Sequence, residues 1–193
     1  MTSAPSVLEG LLPQVDAVSV AHRRAPVSPQ QVWNAWHSVC GSDVPLVAFL
    51  AAVRYFPDWV RRRSPVRWDL HRPIIQLMLG GGFTLVLADE PSALVVAHIG
   101  RPWDSQSKPV PFSDVEAFRA FQTPGYVKIA FSFEAREAGA CTELVSAVRV
   151  QATDAASRRK FRRYWWGVGL GSWLVRDVWL RATVRKARQA TLR

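Results

Sequence analysis

Two places in the chain hold the residues best suited to chemistry: an apolar predicted strand and a long C-terminal helix. His98 stands inside the apolar run 95–99, where an imidazole facing a cavity could transfer protons. The alternative is a core or strand-edge histidine satisfied by one hydrogen bond. Asp177 falls on the apolar side of the helix, where burial would raise the pKa of the carboxyl and suit it to acid catalysis. The alternative is an ion pair with Arg181, four residues further on.

A second group of candidates follows the strand of His98 directly. Arg101 could hold a ligand carboxylate or phosphate in a bidentate ion pair, and Trp103 could stack on an aromatic ring of the ligand. The alternative is loop packing together with a surface ion pair to Asp104. We take His98, Arg101 and Asp177 as the candidate catalytic residues.

The sequence predicts no metal site and no cofactor. Cys40 and Cys141 are too few for a disulfide framework or a cysteine zinc site. The glycines at 80–82 lack the ending of a phosphate-binding loop, and a predicted strand rather than a helix follows them, so we interpret them as a bend or a close backbone approach. The four histidines have no ligand spacing: His22, His37, His71 and His98.

Composition predicts one globular domain, residues 14–193, after a flexible N-terminal tail, residues 1–13. The chain has 193 residues, is 49% hydrophobic and carries a formal charge of +10. That charge suits anionic partners, but it is scattered and no nucleic-acid motif accompanies it, so we expect a solvated basic surface and no specific nucleic acid. The start of the chain has no secretory signal pattern, so the cytoplasm is the expected location. We expect the protein to be a monomer or a homodimer.

Alternating apolar residues predict two antiparallel hairpins. One has strands at 126–134 and 142–151, and the other has strands at 83–89 and 93–100. Lys128, Ser132 and Glu134 share one face of their strand. They would be solvated if that face points outward, the favoured case, or would line a pocket if it points inward.

Helix signals complete the pattern. Ser28 and Pro29 predict a helix start after a first strand, and 43–62 reads as a second helical region. Residues 74–79 fit a further strand. Asp154 is a good N-cap for the C-terminal helix, in which three glycines within 167–171 should produce a kink or a break. The apolar run after Trp165 is about half the ~20 residues that a membrane-spanning helix needs.

The order of elements predicts an α+β fold, an antiparallel twisted sheet wrapped around a long C-terminal helix. Such a sheet with a helix across its mouth encloses an internal cavity for a small apolar ligand. The side chains expected to line it are mostly aromatic: Phe83, Leu85, Trp103, Ile129, Phe131, Phe133, Leu144, Trp165 and Trp173.

Several stretches resemble the START/SRPBCC (helix-grip) superfamily, which includes the birch pollen allergen and the aromatic polyketide cyclases. They are the strand-to-helix junction 25–33, the buried hairpin 83–100 with Arg101 to Trp103, the strand 125–131, and the ending from Val148 through Tyr164. The pattern is similar to an actinobacterial-type branch, over about residues 14–190. The resemblance implies a helix-grip fold and a hydrophobic ligand.

Two hypotheses about function follow. The first is a protein that binds a small hydrophobic or aromatic molecule in an internal cavity, with a polyketide cyclase or dehydratase of secondary metabolism as its enzymatic version. The alternative is a carrier of lipids or other hydrophobic ligands, without catalysis. It would associate with anionic membrane surfaces through the basic C-terminal helix.

Overall fold

Five antiparallel strands form one sheet in the computed structural model of the chain, which describes residues 4–46, 69–104 and 106–191. The strand order is β1-β5-β4-β3-β2. This confirms the predicted α+β architecture, a twisted sheet with a long C-terminal helix, which is consistent with a helix-grip fold. In chain order the elements are α1 (Ala4–Leu11), β1 (Ala17–Ala25), α2 (Pro29–Ser38), α3 (Ile74–Gly80), β2 (Thr84–Asp89), β3 (Ala93–Gly100), α4 (Val115–Ala120), β4 (Val127–Ala138), β5 (Cys141–Ala152) and α5 (Ala155–Thr191).

Local sequence signals place several elements correctly. Both predicted hairpins are confirmed, as β2–β3 and as β4–β5. The start of α2 is confirmed too, because Ser28 caps the helix in a capping box with Gln31 and Pro29 takes the first turn. The predicted helical region 43–62 lies mostly outside the described residues.

Residues 74–79 form a helix, α3, so the expectation of a strand there is wrong. Ile74 and Ile75 are buried and Met78 packs against the same cluster. Steps of three and four residues put these side chains on one face of a helix, whereas a strand would send neighbouring side chains to opposite faces. Burial on one side therefore selects the helix.

The N-terminal segment also differs from its prediction. Instead of a flexible tail through residue 13, the chain forms α1 and buries Leu8, Leu11 and Leu12 on one face of the sheet. These leucines pack in one cluster with Val95 of β3 and Phe118 of α4. Their spacing is that of an amphipathic helix, so the segment covers apolar surface that the sheet would otherwise expose.

The sheet has an outer face, covered by α1 and α4, and a concave face, covered by α2 and α5. Lys128, Ser132 and Glu134 lie on the outer face but are buried, so the expectation that they are solvated is wrong. The Lys128 ammonium donates to the Arg119 carbonyl at 2.9 Å, and burial lowers the pKa of that amine. Glu134 forms an ion pair with Arg136. These polar groups are therefore buried on the outer face of the sheet and do not line the concave interior.

The start of α5 is fixed by Asp154, as predicted. Its carboxylate accepts hydrogen bonds from the backbone of Ala156 and Ser157 at 2.8 and 2.9 Å, and from the Gly125 amide at 2.6 Å. Hydrogen bonds from the Ser157 side chain and from these amides hold the pKa of Asp154 far below its usual range. One carboxylate therefore caps the helix and ties it to the segment that precedes β4.

α5 is helical throughout its 37 residues, including Gly167, Gly169 and Gly171, so the predicted break is wrong. Buried residues flank the glycines on both sides, Phe161 before them and Arg176 after them. Packing of the two flanks offsets the ~1 kcal/mol that each glycine costs a helix relative to alanine.

Replacing Gly171 by alanine is expected to raise the free energy of unfolding by about 1 kcal/mol. An alanine Cβ at this position would meet no atom within 4 Å, so only the improved helix propensity remains. Gly169→Ala is the matched control, because its Cβ would lie 3.0 Å from the Trp165 indole nitrogen and should lose part of that gain. Urea unfolding monitored by circular dichroism measures both, and a destabilised Gly171→Ala would show that α5 is not a regular helix there.

Candidate functional site

One half of the concave interior is filled by the protein's own aromatic rings. Trp36 of α2 stacks on Phe133 with ring centroids 4.3 Å apart and on Trp179 of α5 at 4.7 Å. Trp179 in turn stacks on Phe131 at 5.9 Å. All four are buried, and Leu144 belongs to the same cluster. Phe131, Phe133 and Leu144, which the sequence suggests as cavity lining, are thus packed against tryptophans.

The other half of the concave face keeps part of its apolar surface exposed. His98 and Ile129 are register partners on β3 and β4, and both are only half-buried. Leu85, opposite the buried Val96, is 48% exposed. We call this surface the concave patch; it consists of Phe83, Leu85, His98, Trp103 and Ile129.

Partial exposure inside the sheet is unusual for a central strand. Neighbours of Ile129 on the same face of β4, Val127 and Phe131, are buried under α5. Ile129 lies between them and is not fully covered, while Trp103, in the loop after β3, packs against the same cluster as Ile129. The concave patch is therefore a partly exposed apolar surface framed by well-packed regions.

His98 is the polar centre of the patch. Its Nδ1 lies 3.0 Å from the Gly82 carbonyl oxygen, and its ring stacks on Phe83 with centroids 4.9 Å apart. The imidazole lies directly over Gly100, where an added Cβ would come within 2.3 Å of Nε2. Three neighbours therefore fix the ring in one orientation.

This geometry also sets the protonation state of His98. A carbonyl oxygen only accepts, so Nδ1 carries the proton and Nε2 presents a lone pair. Burial lowers the pKa of His98 below the ordinary value of 6.5, and the hydrogen bond to Gly82 only partly opposes that shift. At neutral pH the side chain is a neutral acceptor, which can receive a hydrogen bond or a proton at Nε2.

Arg101 does not join His98 on the concave patch. Its guanidinium lies 4.3 Å above the ring of Tyr126 and beside Gly125, in a cation–π contact on the outer side. Successive residues of a strand point to opposite faces, and Arg101 directly follows Gly100, which shares the concave face with His98. The ligand-anchoring role predicted for Arg101 finds no support in this placement.

Asp177 is placed still further from His98. Its buried carboxylate pairs with Arg181, Nε to Oδ2 at 2.9 Å, and with Arg23 of β1. Ala17, not Arg23, is the residue of β1 that lies opposite His98 across the sheet. Arg23 therefore lies about 14 Å across and roughly 20 Å along the strands from His98. The three candidate catalytic residues do not form one cluster.

The remaining candidates lie on α5. Trp165 faces the sheet and packs on Phe161, with ring centroids 5.4 Å apart. Trp173 lies on the solvent side of the helix and is 37% exposed. Of the nine predicted lining residues, four lie on the concave patch, and Trp165 packs near it in the cluster that contains Ile129 and Trp103.

The role of Gly100 was missed by the sequence prediction, although the sequence carries a signal for it. In His98-Ile99-Gly100 a histidine and a glycine two residues apart share a strand face. A bulky side chain at 100 would displace the imidazole, so this glycine marks the place where the ring lies. Trp36 and Trp179 give no comparable signal, because only tertiary packing joins α2 to α5.

The described ranges contain no group of three histidine, cysteine or acidic side chains that could hold a metal ion. Within the same residues no helix is both long and apolar enough to cross a bilayer.

Comparisons with known proteins yield distant structural similarities alone. No family model matches the chain, and no curated protein matches it. TTHA0849 from Thermus thermophilus is 12% identical with a TM-score of 0.33, over 90% of this chain and 99% of that chain. Ara h 8.0201 is 9% identical with a TM-score of 0.35, over 90% and 99%. CalU16 from Micromonospora echinospora is 11% identical with a TM-score of 0.29, over 89% and 84%. Nothing about the ligand or reaction of this chain follows from them.

Proposed function

We propose that the protein binds a small hydrophobic or aromatic molecule on the concave patch. The observation that supports this most is a half-buried apolar surface on the inner face of a central strand, beside a neutral histidine. Burying such a surface under a ligand gives roughly 25 cal/mol for each Å² of apolar area. His98 supplies the one fixed polar contact that orients the ligand.

The patch favours a flat aromatic ligand with a hydroxyl group. Phe83 and Trp103 offer rings for stacking, and Leu85 and Ile129 offer aliphatic contact. Nε2 of His98 accepts, so the matching group on the ligand is a donor. A phenol or enol satisfies that requirement, whereas a carboxylate would place two acceptors together.

The enzymatic version would use the same contact. As a cyclase or dehydratase, the protein would take a proton from the substrate at Nε2 while the apolar surroundings exclude water from the intermediate. Arg101 and Asp177 lie elsewhere, so neither of them is placed to complete proton transfer. Binding without a required reaction is therefore the function that the geometry supports best.

The test compares 2-naphthol with naphthalene, which lacks the hydroxyl. We expect 2-naphthol to bind the purified protein more tightly, with the advantage lost only when the pH falls through the lowered pKa of His98 and its imidazole becomes protonated. In His98→Asn the amide can still donate to the Gly82 carbonyl, but no acceptor remains at the position of Nε2. That variant should bind both compounds equally at every pH. If the wild-type protein binds 2-naphthol and naphthalene equally, His98 does not form the proposed hydrogen bond with the ligand.

A matched pair of variants locates the binding surface. Leu85 on the concave face and Val18 on the outer face are both 48% exposed and both lie on edge strands. Leu85→Glu should weaken naphthalene binding at least about tenfold, since it removes an apolar contact and adds a charge. Val18→Glu should leave binding unchanged. Equal losses in the two variants would place the site elsewhere, and native mass spectrometry of the purified protein would show any ligand it already carries.

The alternative, a carrier that works at anionic membrane surfaces through its C-terminal helix, is favoured by a separate observation. Trp166 and Leu170 of α5 are the two most exposed large hydrophobic residues of the described chain. A carrier must release its ligand into a bilayer, and apolar side chains on a basic helix suit contact with one.

A further inference from the structure

Six residues share the solvent side of α5 and form a surface that the fold does not use. Trp166 is 93% exposed, Leu170 is 76% exposed and Trp173 is 37% exposed. Steps of four and three residues put them on one face of the helix, opposite the side that packs on the sheet. Three exposed arginines extend the same face toward the start of the helix. We call this surface the outer stripe: Arg159, Arg162, Arg163, Trp166, Leu170 and Trp173.

The apolar part of the outer stripe has no structural task within the described chain. Trp165, next to Trp166, already supplies the indole that packs into the core. A nearly fully exposed tryptophan beside an exposed leucine is the kind of apolar patch that marks an interaction surface. An indole has a large apolar body with one polar N–H, and it is favoured where water meets hydrocarbon.

The charge of the outer stripe determines which partners can bind it. From Ala155 to Arg176 the helix has no acidic residue at all. Within the described residues no acidic side chain pairs with Arg159, Arg162 or Arg163.

The basic end of α5 is different, because three of its cations are already engaged. Arg181 pairs with Asp177, and Lys186 pairs with Asp43 at 2.6 Å. Arg185 donates to the Asp43 carbonyl at 3.1 Å. Apart from Arg188, the described cations of α5 that are available to an external anion therefore lie in the first half of the helix, next to the exposed tryptophans.

We propose that the outer stripe is a docking face for anionic membrane surfaces. Trp166 and Leu170 enter the boundary between headgroups and acyl chains, while the arginines pair with lipid phosphates. This refines the carrier alternative by assigning the contact to the first half of α5 instead of its basic end. It does not require that the concave patch binds anything, so the two proposals can fail separately.

Two other occupants fit the stripe less well. A second copy of the chain, docked stripe to stripe, would bury the apolar residues but would leave the arginines without an anionic partner. A nucleic acid would satisfy the arginines but would leave Leu170 in contact with a charged backbone. An anionic bilayer satisfies both halves of the surface at once.

The test is co-sedimentation of the full chain with vesicles. We expect binding to vesicles of phosphatidylcholine mixed with phosphatidylglycerol, little binding to phosphatidylcholine alone, and release as salt is raised to about 0.5 M. Arg163→Glu should lower the partition coefficient by more than about fivefold, because each arginine near an anionic surface contributes about that factor. Trp166→Ala together with Leu170→Ala should lower it by at least about tenfold.

Controls separate docking from simple charge attraction. Arg188→Glu makes the same charge change on an exposed residue near the other end of α5, and it should change the partition coefficient less than Arg163→Glu does. Equal losses in these two variants would overturn the proposal, as would binding to neutral vesicles alone or no binding at all. A dimer in solution that Trp166→Ala abolishes would assign the stripe to a second copy. The altered side chains are exposed, so unchanged unfolding curves should accompany every result.

Discussion

Replacing Trp179 by alanine is expected to lower the free energy of unfolding by about 3–5 kcal/mol. This indole stacks on Trp36 and on Phe131, and it is buried where α5 crosses the sheet. Truncation removes both stacking contacts and leaves a void that neighbouring rings of fixed orientation cannot close. Denaturant unfolding followed by far-ultraviolet circular dichroism measures the loss.

The control for this prediction is another tryptophan of the same helix. Trp173 lies on the outer stripe, so Trp173→Ala should change the free energy of unfolding by less than about 1 kcal/mol. A similarly small loss for Trp179→Ala would mean that the interior relaxes around the missing ring. In that case the aromatic stack would not be what holds α5 against the sheet.

The sequence predicts well wherever a feature depends on neighbours in the chain. The two hairpins follow from alternation and short turns, and the starts of α2 and α5 follow from Ser28 and Asp154. The ion pair of Asp177 with Arg181 is also local and is confirmed. Its second partner, Arg23, comes from β1 and could not be read from helical spacing.

Prediction fails where tertiary packing overrides local propensity. Three glycines predict a break in α5, but burial of Phe161 and Arg176 on either side keeps the helix whole. The sequence predicts that the N-terminal leucines lie in a flexible tail, because the apolar surface that they cover lies on β3 and β4, far away in the sequence. In both cases the deciding contact comes from a distant part of the chain.

The candidate site divides in the same way. The apolar strand around His98 is enough to identify it as a candidate, but the face that it occupies depends on strand register. One position beyond the end of β3, Arg101 turns to the other side and stacks on Tyr126. The alternation of apolar residues makes it easy to predict that a segment is a strand. The face to which each side chain points is harder to predict, because a shift of one residue reverses it.

Gly82 contacts the candidate site through its carbonyl oxygen, which accepts a hydrogen bond from His98. Gly82→Ala is expected to lower the free energy of unfolding by about 2–5 kcal/mol. Its φ of +91° is strained for any residue with a Cβ, which costs roughly 1–2 kcal/mol. An added Cβ would also lie 2.3 Å from the Pro109 side chain, and such overpacking costs about 1–3 kcal/mol more. Thermal and urea unfolding measure the sum.

The neighbouring Gly80 provides the matched control. A Cβ there would meet no atom within 4 Å, and this residue ends α3, so Gly80→Ala should leave stability unchanged or raise it by up to about 1 kcal/mol. The same two variants also test the site, because the Gly82 carbonyl is the acceptor that fixes the tautomer of His98. Gly82→Ala should therefore reduce the preference for 2-naphthol over naphthalene, while Gly80→Ala should retain it. Loss of stability with the preference intact would show that His98 does not depend on this carbonyl for its orientation.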